Sequence, residues 1–538
     1  MSDYRPPVDE MQALLFDVLG FEDEEIDQET CAAILDEASK LASEVLAPLN
    51  WDGDQFGAKL DDGVVTTAPG FKEAYSQYCE SGWNAVPFDP EYGGQGLPYG
   101  MAFPVQEMWQ GANMSFGLCP LLTQGAVEAI SHHGSDEQKA KYLPKLISGE
   151  WTGTMNLTEP GAGSDLGLIR TKAVKDGDKY KIHGQKIFIT HGEHDMTENI
   201  IHLVLARIEG APEDVKGISL FIVPKILDEN RRNGVKCIGL EHKLGIHASP
   251  TCTMEFDGAE AYLVGRANAG LKYMFTMMNN ARLSVALQGV AIAERAYQHA
   301  LNYANERIQG KDFASGERTV IANHADVKRM LTSMKSQVLA GRAIVYRAAL
   351  ALDQNQQDFV DVLTPLAKAW CTDMSVDVAS LGVQVHGGMG FVEETGAAQY
   401  YRDARILPIY EGTNGIQAMD LVFRKTLRDN GAAVRAFIAE LKEMISSEHQ
   451  AVFAKQFEAL EEATQLILEK GAAGHLDFVE AMATPYLKGF AIIAGAAFLS
   501  KATENDVLKD NAAIFISNHL PYANAHFEVA MKGSADLI

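Results

Sequence analysis

The hydrophobic period of the chain changes twice, and those changes constrain the fold more than any other feature. From about residue 151 to 262 apolar residues alternate along short runs. Tyr180-Lys181-Ile182-His183 and Lys186-Ile187-Phe188-Ile189-Thr190 are examples, set apart from other runs by turns such as Asp176-Gly177-Asp178. Ile200 to Ile208, Ile218 to Val223 and Thr251 to Phe256 are also strand-like. A period of two sends alternate side chains to opposite faces of a sheet, so this stretch is expected to form a small barrel or sandwich. On both sides the period is helical. Residues 31–150 read as helices interrupted at Pro87-Phe88-Asp89-Pro90 and Gly93-Gly94-Gln95-Gly96, and Ser135 to Gln138 has the spacing of a capping box. Val327, Met330, Leu331, Met334 and Val338 share one helical face; Phe453, Phe457, Leu460, Ala463 and Ile467 share another, with Gly471 as the expected C-cap. The expected fold is mainly α with a central β domain. Its parts are an arm with one short helix (1–30), an α domain (31–150), the β domain (151–262), a helical domain (263–430) and an additional α-helical domain (431–538).

Composition narrows the function classes. The 538 residues are 47% hydrophobic and 22% charged, the balance of a globular protein large enough for two to four domains. A net charge of −26 repels phosphate backbones and anionic membranes, so no nucleic-acid partner is expected. The six cysteines form no C-x-x-C pair and fit buried thiols in a reducing compartment. No metal-ligand spacing appears, and the adjacent His132 and His133 cannot share a helix face. The opening residues soon turn acidic, unlike a targeting peptide. The apolar run near Phe490 to Leu499 reads as a buried helix too short to span a bilayer. A cytoplasmic protein without membrane insertion is expected.

Three segments carry chemistry. Met155 to Asp165 is dense in Gly, Ser and Thr, whose backbone N–H and hydroxyl groups can bind a phosphate or the polar edge of a flavin; a structural turn is the plain alternative. Gln384-Val385-His386-Gly387-Gly388-Met389-Gly390 reads as a segment between helices, where glycines mark close approach of backbone to something else. His386 itself reads as a core histidine. Tyr401-Arg402-Asp403-Ala404-Arg405-Ile406 leads to Ile409-Tyr410-Glu411-Gly412-Thr413-Asn414, a carboxylate ahead of a helix.

TEPGAGSD at 158–165, GQKIFIT at 184–190, QVHGG at 384–388 and YRDARILPIYEGT at 401–413 occur in this order across the α–β–α plan. Over residues 36–430 the chain resembles the acyl-CoA dehydrogenase family. The resemblance implies an N-terminal helical domain, a middle β domain and a four-helix bundle, with FAD between them and a second subunit completing the site. It assigns Met155, Leu157, Thr158, Gly163 and Ser164 to the flavin, with Phe188, Ile189 and Thr190 lining the ring's other side. Arg307 and Gln384, Val385, Gly387 and Gly388 would hold FAD across a homodimer interface, and Thr413 and Asn414 would meet the pyrophosphate. Ser164, Asn279, Arg282 and Gly412 are the implied acyl-CoA contacts. The family's base lies either at the position of Glu411 or just before the arginine matched by Arg282. Ala281 occupies the latter, leaving Glu411. Departures are Gly415, Phe188 and Met155, where relatives often carry Gln or Glu, Trp and Tyr.

The implied reaction is α,β-dehydrogenation of an acyl-CoA to a trans-2-enoyl-CoA, with electron-transferring flavoprotein as electron acceptor. Residues 2–8, 243–252 and 388–406 look like the long subfamily with an added C-terminal helical domain. That subfamily implies 3-methylmercaptopropionyl-CoA and short-chain acyl-CoAs as substrates, with medium- or long-chain acyl-CoAs as the alternative. An alkylation-response, DNA-associated flavoprotein and a nitroalkane oxidase are the competing classes. Glu411 in full motif context and the acidic charge count against the former, and a Glu rather than an Asp base against the latter.

Overall fold

The computed structural model describes residues 4–532, which divide into two compact units. One unit takes Glu44–Pro98 and Ala112–Ala281. The other takes the chain up to residue 43, Tyr99–Gly111, and everything from Arg282 onward.

The first unit is built on seven strands: β1 (Trp151–Asn156), β2 (Lys172–Asp176), β3 (Lys179–Thr190), β4 (Asn199–Ile208), β5 (Ile218–Pro224), β6 (Val235–Leu240) and β7 (Thr251–Leu263). β4 pairs with β2, β2 with β3, β3 with β7, β7 with β5, and β5 returns to β4. The pairing closes into a barrel, which leaves no open edge in that circuit. β1 flanks β4 and β6 flanks β7. Two strand-like runs read from the sequence are one strand, β3, interrupted by a bulge between Lys186 and Ile189. β6 and a two-stranded hairpin, Lys59–Asp61 with Val64–Thr66, were not anticipated.

A helix at Met114–His133 lies directly on β1. Asn113 caps it by accepting from the Phe116 N–H at 3.1 Å. Gly153 is required beneath it, because an added Cβ would stand 2.4 Å from the Ala126 methyl. The expected capping box at Ser135 and Gln138 is present and opens the helix Asp136–Ile147.

The second unit is helical. Its long helices are α1 (Gly270–Glu306, of which residues from Arg282 belong here), α2 (Ala325–Asp353), α3 (Gln357–His386), α5 (Gln450–Ala472) and α6 (Leu476–Leu499). A short α4 (Asn414–Met419) continues as a π-helical segment to Leu427. The stripe at Phe453, Phe457, Leu460, Ala463 and Ile467 is buried, as its spacing implies. Gly471 is not the C-cap. It lies in the last turn of α5, where an added Cβ would meet Leu427 at 2.5 Å, and Gly474 (φ +78°) takes the left-handed position beyond the helix. Residues 384–386 belong to the last turn of α3 rather than to a loop between helices.

The apolar run at 490–499 belongs to a longer stretch, Leu476–Glu504, which by length and composition could cross a bilayer. However, 83% of its most apolar window is buried inside the protein, so it serves as a core helix. The N-terminal segment is also part of this unit: Tyr4 is 1% exposed, and the Arg5 backbone exchanges two hydrogen bonds with the Gln298 amide.

Candidate active site

In the helical unit the segment before α4 folds into a tight turn. Glu411 sits at φ +55° and Gly412 at φ +80°, two consecutive left-handed residues. A glutamate seldom adopts this conformation, so the surroundings must hold it. The Asn414 N–H donates to the Pro408 carbonyl at 3.0 Å and closes the turn. Gln417, fully buried, donates from Nε2 to the carbonyls of Gly412 (3.1 Å) and Glu411 (3.4 Å). Upstream, the Tyr410 hydroxyl donates to Gln288 Oε1, and Gln288 Nε2 donates to Gln110 Oε1 at 3.1 Å.

Burial pushes the Glu411 carboxyl up to about 7, against the opposing pull of Arg282 and Lys368. Arg282 projects from α1, is 6% exposed, and places Nη1 3.9 Å from Asp420 Oδ2. Its own pKa is lowered by burial. Lys368, from the middle of α3, is fully buried and donates to Asn414 Oδ1 at 2.9 Å. The structure thus brings Glu411, Gly412, Arg282 and Asn414 to one place. The Asn414 side chain is taken up internally: Nδ2 donates to Asp373 Oδ1 at 2.7 Å, to Thr372 Oγ1 and to the Ala369 carbonyl. The Asn414 backbone N–H is held by the Pro408 carbonyl, so at this turn the backbone N–H of Thr413, the residue ahead of α4, is the one left to meet a phosphate.

The other end of the helical unit carries a second group. His386 stacks on Tyr303, ring centroids 4.4 Å apart, so the C-terminal turns of α1 and α3 lie together. From these turns emerge Arg307, Gln384, Gly387 and Gly388, all exposed. Gly387 takes φ +63°, and a Cβ at either glycine would meet no atom within 4 Å. Packing does not demand a glycine at either position; at Gly387 the backbone conformation, φ +63° and ψ −138°, does. Val385 is buried, which leaves its backbone for any contact. His386 donates from Nδ1 to the Gly382 carbonyl at 2.7 Å, in a core setting. Arg282 and Arg307 lie about 37 Å apart along α1 at the usual helical rise.

In the barrel unit the loop after β1 is fastened to β3. Lys186, fully buried, donates to the Leu157 carbonyl and to Glu159 Oε1, both at 2.8 Å, and the Ile187 N–H donates to the Thr158 carbonyl at 2.9 Å. Glu159 Oε1 and Oε2 also receive the N–H groups of Thr171 and Arg170. Held this way, Gly163 and Ser164 are exposed on the loop, with Met155, Leu157 and Thr158 half-buried beside it. At the β3 bulge Phe188 takes φ +60° and is 58% exposed. An aromatic ring held outward on strained backbone is poor design for folding alone and suits a planar ligand. Ile189 is buried and Thr190 half-buried behind it. Asn279 lies on the part of α1 that belongs to this unit. These residues fit a flavin and its phosphates. Among the described residues no three His, Cys, Asp or Glu side chains gather as a metal site.

Lys368, Gln288 and Gln417 were missed at the sequence level. Lys368 left a trace there, as the lone charge in the apolar run from Val362 to Cys371.

Three family models match the chain: the acyl-CoA dehydrogenase N-terminal domain over residues 28–150, middle domain over 154–259 and C-terminal domain over 268–425. A 3-methylmercaptopropionyl-CoA dehydrogenase of Ruegeria pomeroyi is 52% identical over 431 residues, covering 77% of this chain and 73% of the relative. A butyryl-CoA dehydrogenase of Syntrophomonas wolfei is 37% identical over 462 residues, 80% of this chain and 76% of the relative. Among solved structures, an acyl-CoA dehydrogenase complexed with FAD from Bacillus anthracis superimposes with a TM-score of 0.77 at 23% identity. The match spans 98% of this chain and 90% of that one, so the shared fold includes the C-terminal helical extension.

Proposed function

The chain belongs to the acyl-CoA dehydrogenase family, FAD-dependent oxidoreductases of CH–CH bonds, and from that premise we propose that Glu411 removes the α-proton of a short acyl-CoA, with 3-methylmercaptopropionyl-CoA as the leading substrate. The observation that carries this reading is the Glu411 carboxyl, pushed up to about 7 by burial on a strained turn beside Arg282 and Lys368. A base poised near the working pH combines an available ionised form with useful proton affinity. An α-C–H beside a thioester is a weak acid, so the negative charge that develops on the carbonyl oxygen needs a donor. The Glu411 N–H is not taken up by any described group and can serve there. Leu157, Thr158, Gly163, Ser164 and Phe188 to Thr190 would hold the flavin, and FAD when bound supplies the acceptor for the β-hydride. The protein's own work is to align the α-C–H with the carboxylate and keep water away.

The pH dependence has a definite sign. The active form of Glu411 is the carboxylate, so kcat/KM should rise as pH climbs through about 7 and level off above it. A profile flat from about pH 5.5 to 8.5 would remove Glu411 from the role of base.

The substrate reading rests on the 52%-identical relative. A thioether sulfur is close to a methylene in size, and pocket discrimination of one such group is about 1–3 kcal/mol. We expect kcat/KM for 3-methylmercaptopropionyl-CoA and butanoyl-CoA to lie within about 200-fold of each other, with palmitoyl-CoA far slower. A panel of acyl-CoAs of graded length tests it; palmitoyl-CoA as the best substrate with an inert methylthio substrate would overturn it and support the long-chain alternative.

Arg282 and Arg307 stand about 37 Å apart along α1, toward opposite ends of the helical unit. We take the Glu411 end and the Arg307 end of one helical unit to serve different cofactors. A homodimer in which each FAD touches both chains satisfies the two groups, and cofactor binding is then linked to assembly. Sedimentation of FAD-saturated protein should give a dimer, and a monomer with full FAD occupancy would contradict it. We assign reoxidation to electron-transferring flavoprotein and the protein to the cytoplasm.

A further inference from the structure

We propose that Lys368 is a positioning residue for proton abstraction: through Asn414 it holds the turn that carries Glu411, and its charge, with that of Arg282, favours the ionised base. The inference rests on the reading of Glu411 as the base. Lys368 is fully buried in the middle of α3, and its one hydrogen bond among the described residues goes to Asn414 Oδ1 at 2.9 Å. A buried ammonium with a single neutral acceptor is costly unless nearby anions offset the desolvation. The anions that do so are Glu411 and Asp373, while burial lowers the lysine pKa to about 7.

The anchor is specific. Asn414 begins α4, three residues after Glu411, and its side-chain amide is saturated by α3: Lys368 and Thr372 on Oδ1, Asp373, Thr372 and the Ala369 carbonyl on Nδ2. Asp373 is tied in turn to Lys488 of α6 at 3.0 Å, so the C-terminal extension braces the same joint. The charged groups facing Glu411 are Arg282 from α1 and Lys368 from α3. Behind them stand Asp420 and Arg424, which act on Arg282, and Asp373, which acts on Lys368. Without Lys368, ionisation of Glu411 would be opposed by burial with only Arg282 to offset it. Because Glu411 and Lys368 titrate as an interacting pair, the readout is the macroscopic limb of the rate profile.

The test compares K368M, which removes donor and charge, with K368Q, which keeps a donor for Asn414. Both are purified with FAD, and kcat and KM are measured from about pH 5.5 to 9 with butanoyl-CoA alongside the parent and E411Q. The acid limb of kcat/KM should move up by about one pH unit in both, lowering kcat/KM roughly fivefold at pH 7 and recovering it near pH 9 in K368Q. K368M should recover less at high pH, because the turn also loses its anchor. The loss should fall on kcat rather than KM. A limb at the parental pH, with activity lowered equally at every pH, would overturn the proposal. So would failure of both variants to fold with FAD, since the lysine would then be purely structural. Retained turnover in E411Q would instead remove the base itself, which separates the two failures.

Discussion

Glu411→Gln should abolish turnover while leaving the flavoprotein intact. The amide preserves the shape of the side chain and the αL turn at φ +55° and +80°, which Gln417, the Asn414 N–H and the Tyr410–Gln288–Gln110 chain hold independently of the carboxylate. Flavin absorbance and oligomeric state should therefore match the parent. The rate should fall by about a thousandfold to ten-thousandfold, the contribution of a positioned general base, or roughly 4–5.5 kcal/mol of barrier. Because substrate contacts persist, the loss should appear in kcat and kcat/KM together, with KM little changed. Reduction of the bound flavin by butanoyl-CoA in a stopped-flow experiment isolates the chemical step. Flavin reduction within tenfold of the parental rate would show that another group removes the proton.

The parts of this site that could be read from the sequence are those whose physics is local. The barrel is legible because β3 mixes apolar and polar residues between turns and β4 and β5 are short, largely apolar runs, and the capping box at Ser135 works through its own four residues. Glu411 was legible through its motif. Its environment was not, because Lys368 lies on a different helix and only the folded chain sets the two near each other. The bulge that turns Phe188 outward has the same character. Nothing in Lys186-Ile187-Phe188-Ile189 predicts φ +60°, which arises where β3 must also bond to the Thr158 carbonyl and follow β7.

A glycine near the end of a helix is either a cap or a point of close packing, and Gly471 is the latter, pressed against Leu427. The strand Val235–Leu240 does bury Val235 and Cys237 and expose Lys236 and Ile238, an alternation too short to stand out beside Arg231 and Arg232. The hairpin Ile308–Lys311 with Arg318–Val320 buries none of its residues and so imposes no hydrophobic pattern. The N-terminal arm carried no sign that it completes the helical core.

That arm contributes Glu10 to a buried ionic cluster. Arg342 of α2 is fully buried, and its guanidinium contacts Glu107 (Nη2–Oε1, 2.7 Å) and Glu294 of α1 (Nη2–Oε2, 2.9 Å). It also meets Glu10 of the arm at 3.3 Å. Lys335 pairs with Glu10 at 2.7 Å and Glu294 at 3.0 Å, and the Tyr346 hydroxyl donates to Glu107 Oε2 at 2.7 Å. Burial alone would raise the Glu294 pKa, but Lys335 and Arg342 pull it down to about 2. Its stabilising share is therefore present above the usual carboxylate range and is lost as pH falls through about 2. Arg342→Met fills similar space, leaves Glu107 buried without its cation, and leaves Glu294 with Lys335 alone. Breaking a buried pair in this way costs about 3–5 kcal/mol, far more than the pair contributes over an apolar replacement. The urea midpoint of the helical far-UV signal should fall accordingly, with FAD held at saturation in both proteins. Adding Glu107→Gln to Arg342→Met removes one orphaned charge and should recover part of the loss, so the two changes are strongly non-additive. A single variant within about 1 kcal/mol of the parent would mean that water reaches these carboxylates in the folded protein.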